Sequence, residues 1–240
     1  MIPLRIFRAL LLLFTVSGVL ALADNALAVN NVHEQYVKVL TGFLAGAVVF
    51  FLSYEGGRVL RFCGKCLVSD ATREGHINRA LGEIDRNDAG VQVSLVETNS
   101  FLASTVREGR GHRMFISTCI VDSLSPVALR GVLAHELGHV ESAHPIKLAV
   151  LLGLLAAVKL SVGVPLGAVL AILVAFLFML REWEYVADAH AVDSAGQGAV
   201  LSAFEEYRVI AGDSRKIGRI EEWFSGHPST QRRIAAVNRT

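Results

Sequence analysis

Three stretches of the chain are apolar without the alternation or the helical stripe of an ordinary half-buried element. Leu4 to Ala23 carries charge only at Arg5 and Arg8, Val37 to Ser53 is a second run, and Leu148 to Leu180 is a third, interrupted by Lys159 and by the Ser161–Pro165 stretch. Runs of this kind are membrane signals. The first ends in Ala21-Leu22-Ala23-Asp24, which suits either signal-peptidase cleavage after Ala23 or an uncleaved first span. The third is expected to fold as a hairpin turning at Val162–Pro165. Its arms of about 15 residues would reach about 22 Å, short of a hydrocarbon core of about 30 Å, so a tilted, membrane-thinning or dipping hairpin is expected. The opposing reading is a buried soluble hairpin, but a domain of this size has little core in which to hide it.

The remaining segments carry periodic patterns. Ile77, Leu81 and Ile84 recur at helical spacing within Gly75–Arg86. Val91–Val96 alternates as a strand, and Ser100–Val106 and Met114–Thr118 read as two more, joined by a polar turn containing Gly109 and Gly111. Ser125 is a good N-cap and Pro126 suits the first helical position. Val132, Leu133, Leu137 and Val140 then give an apolar helix face, and Pro145 favours a stop just before it. Gly198–Ile210 and Pro228–Val237 read as further helices. The fold class expected is α+β: mostly helical, membrane-anchored, with a small antiparallel sheet whose edge strand can take an extended peptide by β-addition.

Composition sharpens the picture in two ways. The chain is 52% hydrophobic with a formal net charge of +1, so nothing suggests nucleic acid as a partner. No Lys or Arg lies between Asp24 and Tyr36, whereas Arg58, Arg61, Lys65 and Arg73 follow the second apolar run. The positive-inside rule then puts Asp24 outside and everything from Arg58 on the cytoplasmic side. There, Cys63, Cys66 and Cys119 should stay reduced. Cys63 and Cys66 form one C-x-x-C without the second pair that a structural zinc site needs.

The chemistry concentrates in Gly131–His144, GVLAHELGHVESAH. His135 and His139 share one helix face, spaced to hold one metal ion, and Glu136 can reach a water at that metal. A catalytic zinc takes three protein ligands. Downstream, Glu184 and Asp188 also sit four apart in LREWEYVADAHAVDS. That spacing suits a carboxylate ligand with an acidic partner accepting the free N–H of a ligating imidazole, or else a solvated acidic stripe. His144, five after His139, would lie about 140° round a continuous helix and is not expected to be a ligand. His76, His112 and His190 read as surface or structural.

AHELGH, REWEYVAD and GHPSTQRRI together resemble the signatures of the HtpX-like and CAAX-type membrane zinc endopeptidases. TNSFLAS, Thr98–Ser104, resembles the family's Asn-Ala-Phe-Ala strand, with Ser for the first Ala, and Arg181 sits where the family usually has a basic residue. The resemblance covers about residues 91–237. It implies Zn2+ on His135, His139 and Glu184, with Asp188 orienting a ligand histidine and Glu136 as the general base. It also brings in His227, a candidate hydrogen-bond donor to the tetrahedral oxyanion. Arg233 is read as tying its segment to the acidic groups. Because the family usually keeps two N-terminal helices, the first run is favoured as an uncleaved span.

The expected organisation is residues 1–54 as an N-terminal membrane region, 55–147 as the first part of a cytoplasmic peptidase domain, 148–180 as a membrane hairpin, and 181–240 as the second part. The function expected is a zinc metalloendopeptidase in a multi-pass membrane protein, of the inner membrane in a bacterium. It would cleave membrane or misfolded polypeptides in protein quality control, with the lipid bilayer as its other partner. Two alternatives are a zinc-binding scaffold that does not cleave and a narrow processing peptidase for lipidated C-termini. The CAAX-type enzymes have more spans than the four counted here, which weighs against the second.

Overall fold

The structure is a computed structural model describing residues 31–54, 67–84, 90–162, 166–210 and 227–239. The chain divides into two compact units, Met1–Lys65 with Ile146–Leu170, and Cys66–Pro145 with Ala171–Thr240. The first apolar run, Cys63, Cys66 and residues 163–165 of the expected hairpin turn lie outside the described residues.

In the first unit, helix α1, Asn31–Tyr54, contains the second apolar run. Its Val39, Leu40, Phe43, Phe51 and neighbouring apolar side chains are exposed. A Cβ added at Gly153 would lie 2.9 Å from Gly46 O and from Phe50 Cβ, so α1 and the helix carrying Gly153 touch backbone to backbone through small residues. Among the described residues, no helix is long and apolar enough to cross a membrane.

The second unit holds the sheet and the functional residues. Its elements begin with strand β1, Leu67–Val68, helix α2, Ala71–Gly82, and strands β2, Val91–Val96, β3, Ala103–Glu108, and β4, Gly111–Ser117. Helices α3, Thr118–Ser123, and α4, Pro126–Glu141, follow. Helices α5, His144–Val162, and α6, Leu166–Ala195, link the two units along the chain, and α7, Gln197–Ile210, and α8, Thr230–Val237, complete the second. Helix α2 starts earlier than the apolar spacing suggested because Asp70 caps it, accepting from the backbone N–H groups of Thr72 and Arg73.

The sheet order is β1-β2-β4-β3, and it corrects the expectation of an antiparallel sheet: β2 runs parallel to β4, while β1–β2 and β3–β4 are antiparallel. The reason lies in two reversals. Glu108 pairs with Gly111 across a two-residue loop whose first member, Gly109, has φ 57°, the glycine-favouring pattern of a type II′ hairpin turn. The 97–102 connection has already reversed the chain once, so β2 points the same way as β4 and takes its inner side. Strand β3 is left at the edge.

One face of the sheet packs on helices through Ile77, Met114, Ile116, Leu133 and Val200, all buried. Truncating such a residue, for instance Leu133→Ala, typically costs about 2–5 kcal/mol. Helix α4 runs through this core. Ser125 Oγ accepts from Ala128 N at 3.2 Å as the N-cap, and Ser125 N and Oγ both donate to the Glu206 carboxylate on α7 at 2.7 and 2.5 Å. The start of α4 is therefore fixed from two directions. Gly131 and Gly138 let other backbones come close: an added Cβ would lie 2.3 Å from Ala199 O at the first and 2.7 Å from Ala187 O at the second. The helix ends before Pro145 as its sequence suggests. It does so through Ala143, whose φ of 55° is rare for a residue with a Cβ.

Candidate metal centre

His135 and His139 point from one face of α4 at Glu184 on α6. Their Nε2 atoms lie 3.1 Å apart, His135 Nε2 lies 3.6 Å from Glu184 Oε2, and His139 Nε2 lies 3.4 Å from Glu184 Oε1. A tetrahedral ion with bonds of about 2.0–2.1 Å spaces its ligands about 3.3 Å apart, so this donor set fits zinc in both chemistry and spacing. Among the described residues these three form a group able to hold a metal ion. The close approach at Gly138 brings α6 near enough to α4 for Glu184 to reach.

The outer ring nitrogens are also engaged. His135 Nδ1 lies 2.9 Å from Asp188 Oδ1, and His139 Nδ1 lies 2.8 Å from His144 Nδ1. An ion held on both Nε2 atoms would leave each of these rings its proton on Nδ1, facing Asp188 and His144, the arrangement that fixes tautomer and ring angle in metal sites. His144 would then accept at Nδ1. It is buried, and its ring stacks on Trp183 at 4.8 Å with an interplanar angle of 8°.

Arg233 of α8 closes the cluster. Its Nε donates to Asp188 Oδ2 at 2.8 Å and its Nη2 to Asp188 Oδ1 at 2.6 Å, a bidentate pairing. Its Nη1 lies 3.2 Å from Glu184 Oε2. Nη2 also lies 3.1 Å from His135 Nδ1, because both donate to the same Asp188 oxygen. Arg233 thus ties its segment to the acidic groups, as its sequence position suggested.

The electrostatics follow from these contacts. Burial alone would raise the Glu184 carboxyl, but hydrogen bonds from His139 and His227 and the charges of His135 and Arg233 outweigh it and hold the group far below the usual carboxylate range. Burial works against Asp188 too and is overcome by Arg233 and His135. Arg233 is buried, yet Asp188 and then Glu184 hold its pKa above the ordinary value. Both carboxylates are therefore held in the charged, acceptor-only form that metal binding would need.

Glu136 is buried beside the candidate ligand group, and its Oε2 accepts from Thr105 Oγ1 of β3 at 2.8 Å. His227 Nδ1 lies 3.1 Å from Glu184 Oε2, with its side chain 72% exposed. That contact raises the His227 pKa, with the nearby Arg233 charge acting against it. Among the described side chains, the remaining histidines stay outside the cluster. His190 pairs with Glu141 at 3.1 Å, His76 is exposed, and His112 is buried in β4 with its pKa lowered by burial and by Arg107. Thr105 and His144 are the two contacts that spacing alone did not reveal.

The description Peptidase family M48 matches residues 70–240. The chain is similar to Protease HtpX of Chromohalobacter salexigens, 24% identical over 300 residues that cover 96% of this chain and 97% of that one. Its fold is similar to the crystal structure of S. mikatae Ste24p, with a TM-score of 0.62 and 15% identity over 97% of this chain. The chain spans 64% of the length of that structure.

Proposed function

The chain belongs to peptidase family M48, and from that premise we propose that it is a zinc-dependent, membrane-bound endopeptidase cutting membrane or misfolded proteins in protein quality control. The observation that carries the reading is the convergence of His135 Nε2, His139 Nε2 and the Glu184 carboxylate within bonding range of one ion, with the Glu136 carboxylate held beside them by Thr105. A zinc ion bound there would supply Lewis-acid polarisation of a water and of the scissile carbonyl.

The chain's own residues supply the rest. Glu136, oriented by the Thr105 hydroxyl, takes the proton of the attacking water and passes a proton to the leaving amine. Asp188 holds the Nδ1 proton of His135, and Arg233 holds Asp188, so the ligand ring stays aimed while charge moves. His227, exposed at the rim, is the donor to the developing oxyanion. Strand β3 has its outer edge unpaired within the described sheet and carries Thr105, so an extended peptide added along it passes Glu136. Membrane attachment rests on the apolar runs at Leu4–Ala23, Val37–Ser53 and Leu148–Leu180. The exposed apolar face of α1 and its small-residue contact at Gly46 and Gly153 support it.

The test is metal removal and return. The full chain, purified in detergent, is expected to cleave an unfolded protein, to stop when a chelator strips the metal, and to recover with stoichiometric zinc. Cleavage that survives verified removal of the metal would reject the zinc mechanism, and a zinc-loaded chain that cuts nothing would favour the scaffold reading.

A further inference from the structure

Beside the catalytic groups lies a cavity of about 220 Å³. Its lining joins His135, Glu136 and Glu184 to an apolar set that includes Phe101, Leu124, Val132, Val200, Phe204 and Tyr207. We infer that this apolar set forms a specificity pocket for a leucine-, methionine- or phenylalanine-sized side chain on a substrate residue flanking the scissile bond. The inference rests on the peptidase reading and adds a substrate class to it.

Position comes first. Val132 precedes His135 and Glu136 by one helical turn on α4, so the apolar wall begins about 5 Å from the general base. That is the reach of one side chain from a peptide bond held at Glu136. Strand β3 gives the same placement independently. Ala103 lines the cavity and Thr105 binds Glu136. Residues two apart on a strand share a face, so a peptide paired along β3 with its scissile bond near Thr105 turns a neighbouring side chain towards the cavity.

Size and polarity then select the side chain. An apolar cavity of about 150 Å³ is enough to bind benzene, so this one admits a phenyl or isobutyl group beside the peptide backbone. The wall is built for permanence: Phe101 meets Tyr207 edge to face at 5.3 Å, and Phe204 lies under the Arg233 guanidinium at 4.7 Å. Charges in the lining are already engaged with one another, Arg233 with Asp188 and Glu184. A charged substrate side chain set among the apolar lining would have to disturb those pairs to gain a partner, and an unpaired charge is strongly disfavoured in such surroundings.

The experiment uses the zinc-loaded full chain in detergent and peptides identical except for Ala, Leu, Phe or Asp at each residue flanking the cut. At one of the two positions, kcat/KM is expected to be at least about tenfold higher for Leu or Phe than for Ala, with Asp below Ala. Ala103→Leu, which narrows the cavity, and Tyr207→Ala, which opens it at a side chain 42% exposed, should each lower the Phe-to-Ala ratio by about fivefold or more. Cleavage that is indifferent to the side chain, or a preference that neither variant changes, overturns the pocket and leaves the peptidase reading standing. Binding of the same peptides to zinc-loaded Glu136→Gln separates the two claims. If the wild type cuts nothing but Phe still binds at least tenfold more tightly than Asp, the pocket stands and the peptidase reading falls; equal binding overturns the pocket.

Discussion

Thr105 Oγ1 donates to Glu136 Oε2 at 2.8 Å, joining the edge strand of the sheet to the residue after His135. Strand and helix come together here across 31 residues of sequence, so under the proposed mechanism the edge strand offered to substrate would also set the angle of the base. Thr105→Val keeps the β-branched shape and removes the donor. Hydrogen bonds to charged groups contribute about 1.5–3 kcal/mol, so kcat/KM should fall about 10- to 100-fold with zinc content unchanged. Activity within twofold of wild type would mean that Thr105 does not orient Glu136.

Glu184 is buried and faces both histidines, whereas Glu182, two residues earlier on α6, is exposed. Glu184→Ala should lose zinc, and Glu182→Ala should retain it, when both variants are purified and their metal is counted. Equal zinc in the two would assign the third ligand to another group.

His144 Nδ1 lies 2.8 Å from His139 Nδ1, where it would accept if His139 held a metal through Nε2, and its ring stacks on Trp183. His144→Phe keeps the stack and deletes the acceptor, while His144→Asn offers an amide oxygen near the place of Nδ1. Partners of ligand histidines are typically worth 10- to 100-fold in metal affinity. His144→Phe should therefore release zinc to a competing chelator at least about tenfold more readily, with His144→Asn recovering most of the loss. Equal zinc affinity in all three proteins would reduce His144 to a packing residue.

Gly138 leaves room for the backbone of Ala187, next to Asp188. Gly138→Ala forces α4 and α6 apart just where their ligands meet. Overpacking of this kind costs about 1–3 kcal/mol. Thermal unfolding should show a lower midpoint even in the metal-free protein, accompanied by weaker zinc binding. An unchanged midpoint would show that the helices yield there without strain.

His135, Glu136 and His139 were legible in the sequence because a helix fixes their mutual placement locally. The shared helix face of Glu184 and Asp188 was legible for the same reason. His144 was not. The 140° argument assumed a continuous helix, but the chain turns at Ala143 with φ 55° and restarts, which brings His144 back onto His139. The parallel β2–β4 pair was hidden in a similar way, since the alternation of Val91–Val96 marks a strand without choosing its neighbour. The start of β3 was read at Ser100 and is found at Ala103. Phe101, read as part of a strand, instead lines the cavity. Contacts that depend on a turn or on strand order are not written in local periodicity.

The most direct test of the account is Glu136→Gln. The substitution keeps the shape of the side chain and its contact with Thr105 but removes the proton acceptor, and the three candidate zinc ligands are untouched. Zinc content should equal that of wild type, and cleavage of an unfolded protein should fall by at least about 10². A variant that binds zinc fully and still cleaves within a few-fold of wild type would show that Glu136 is not the base and would contradict the mechanism.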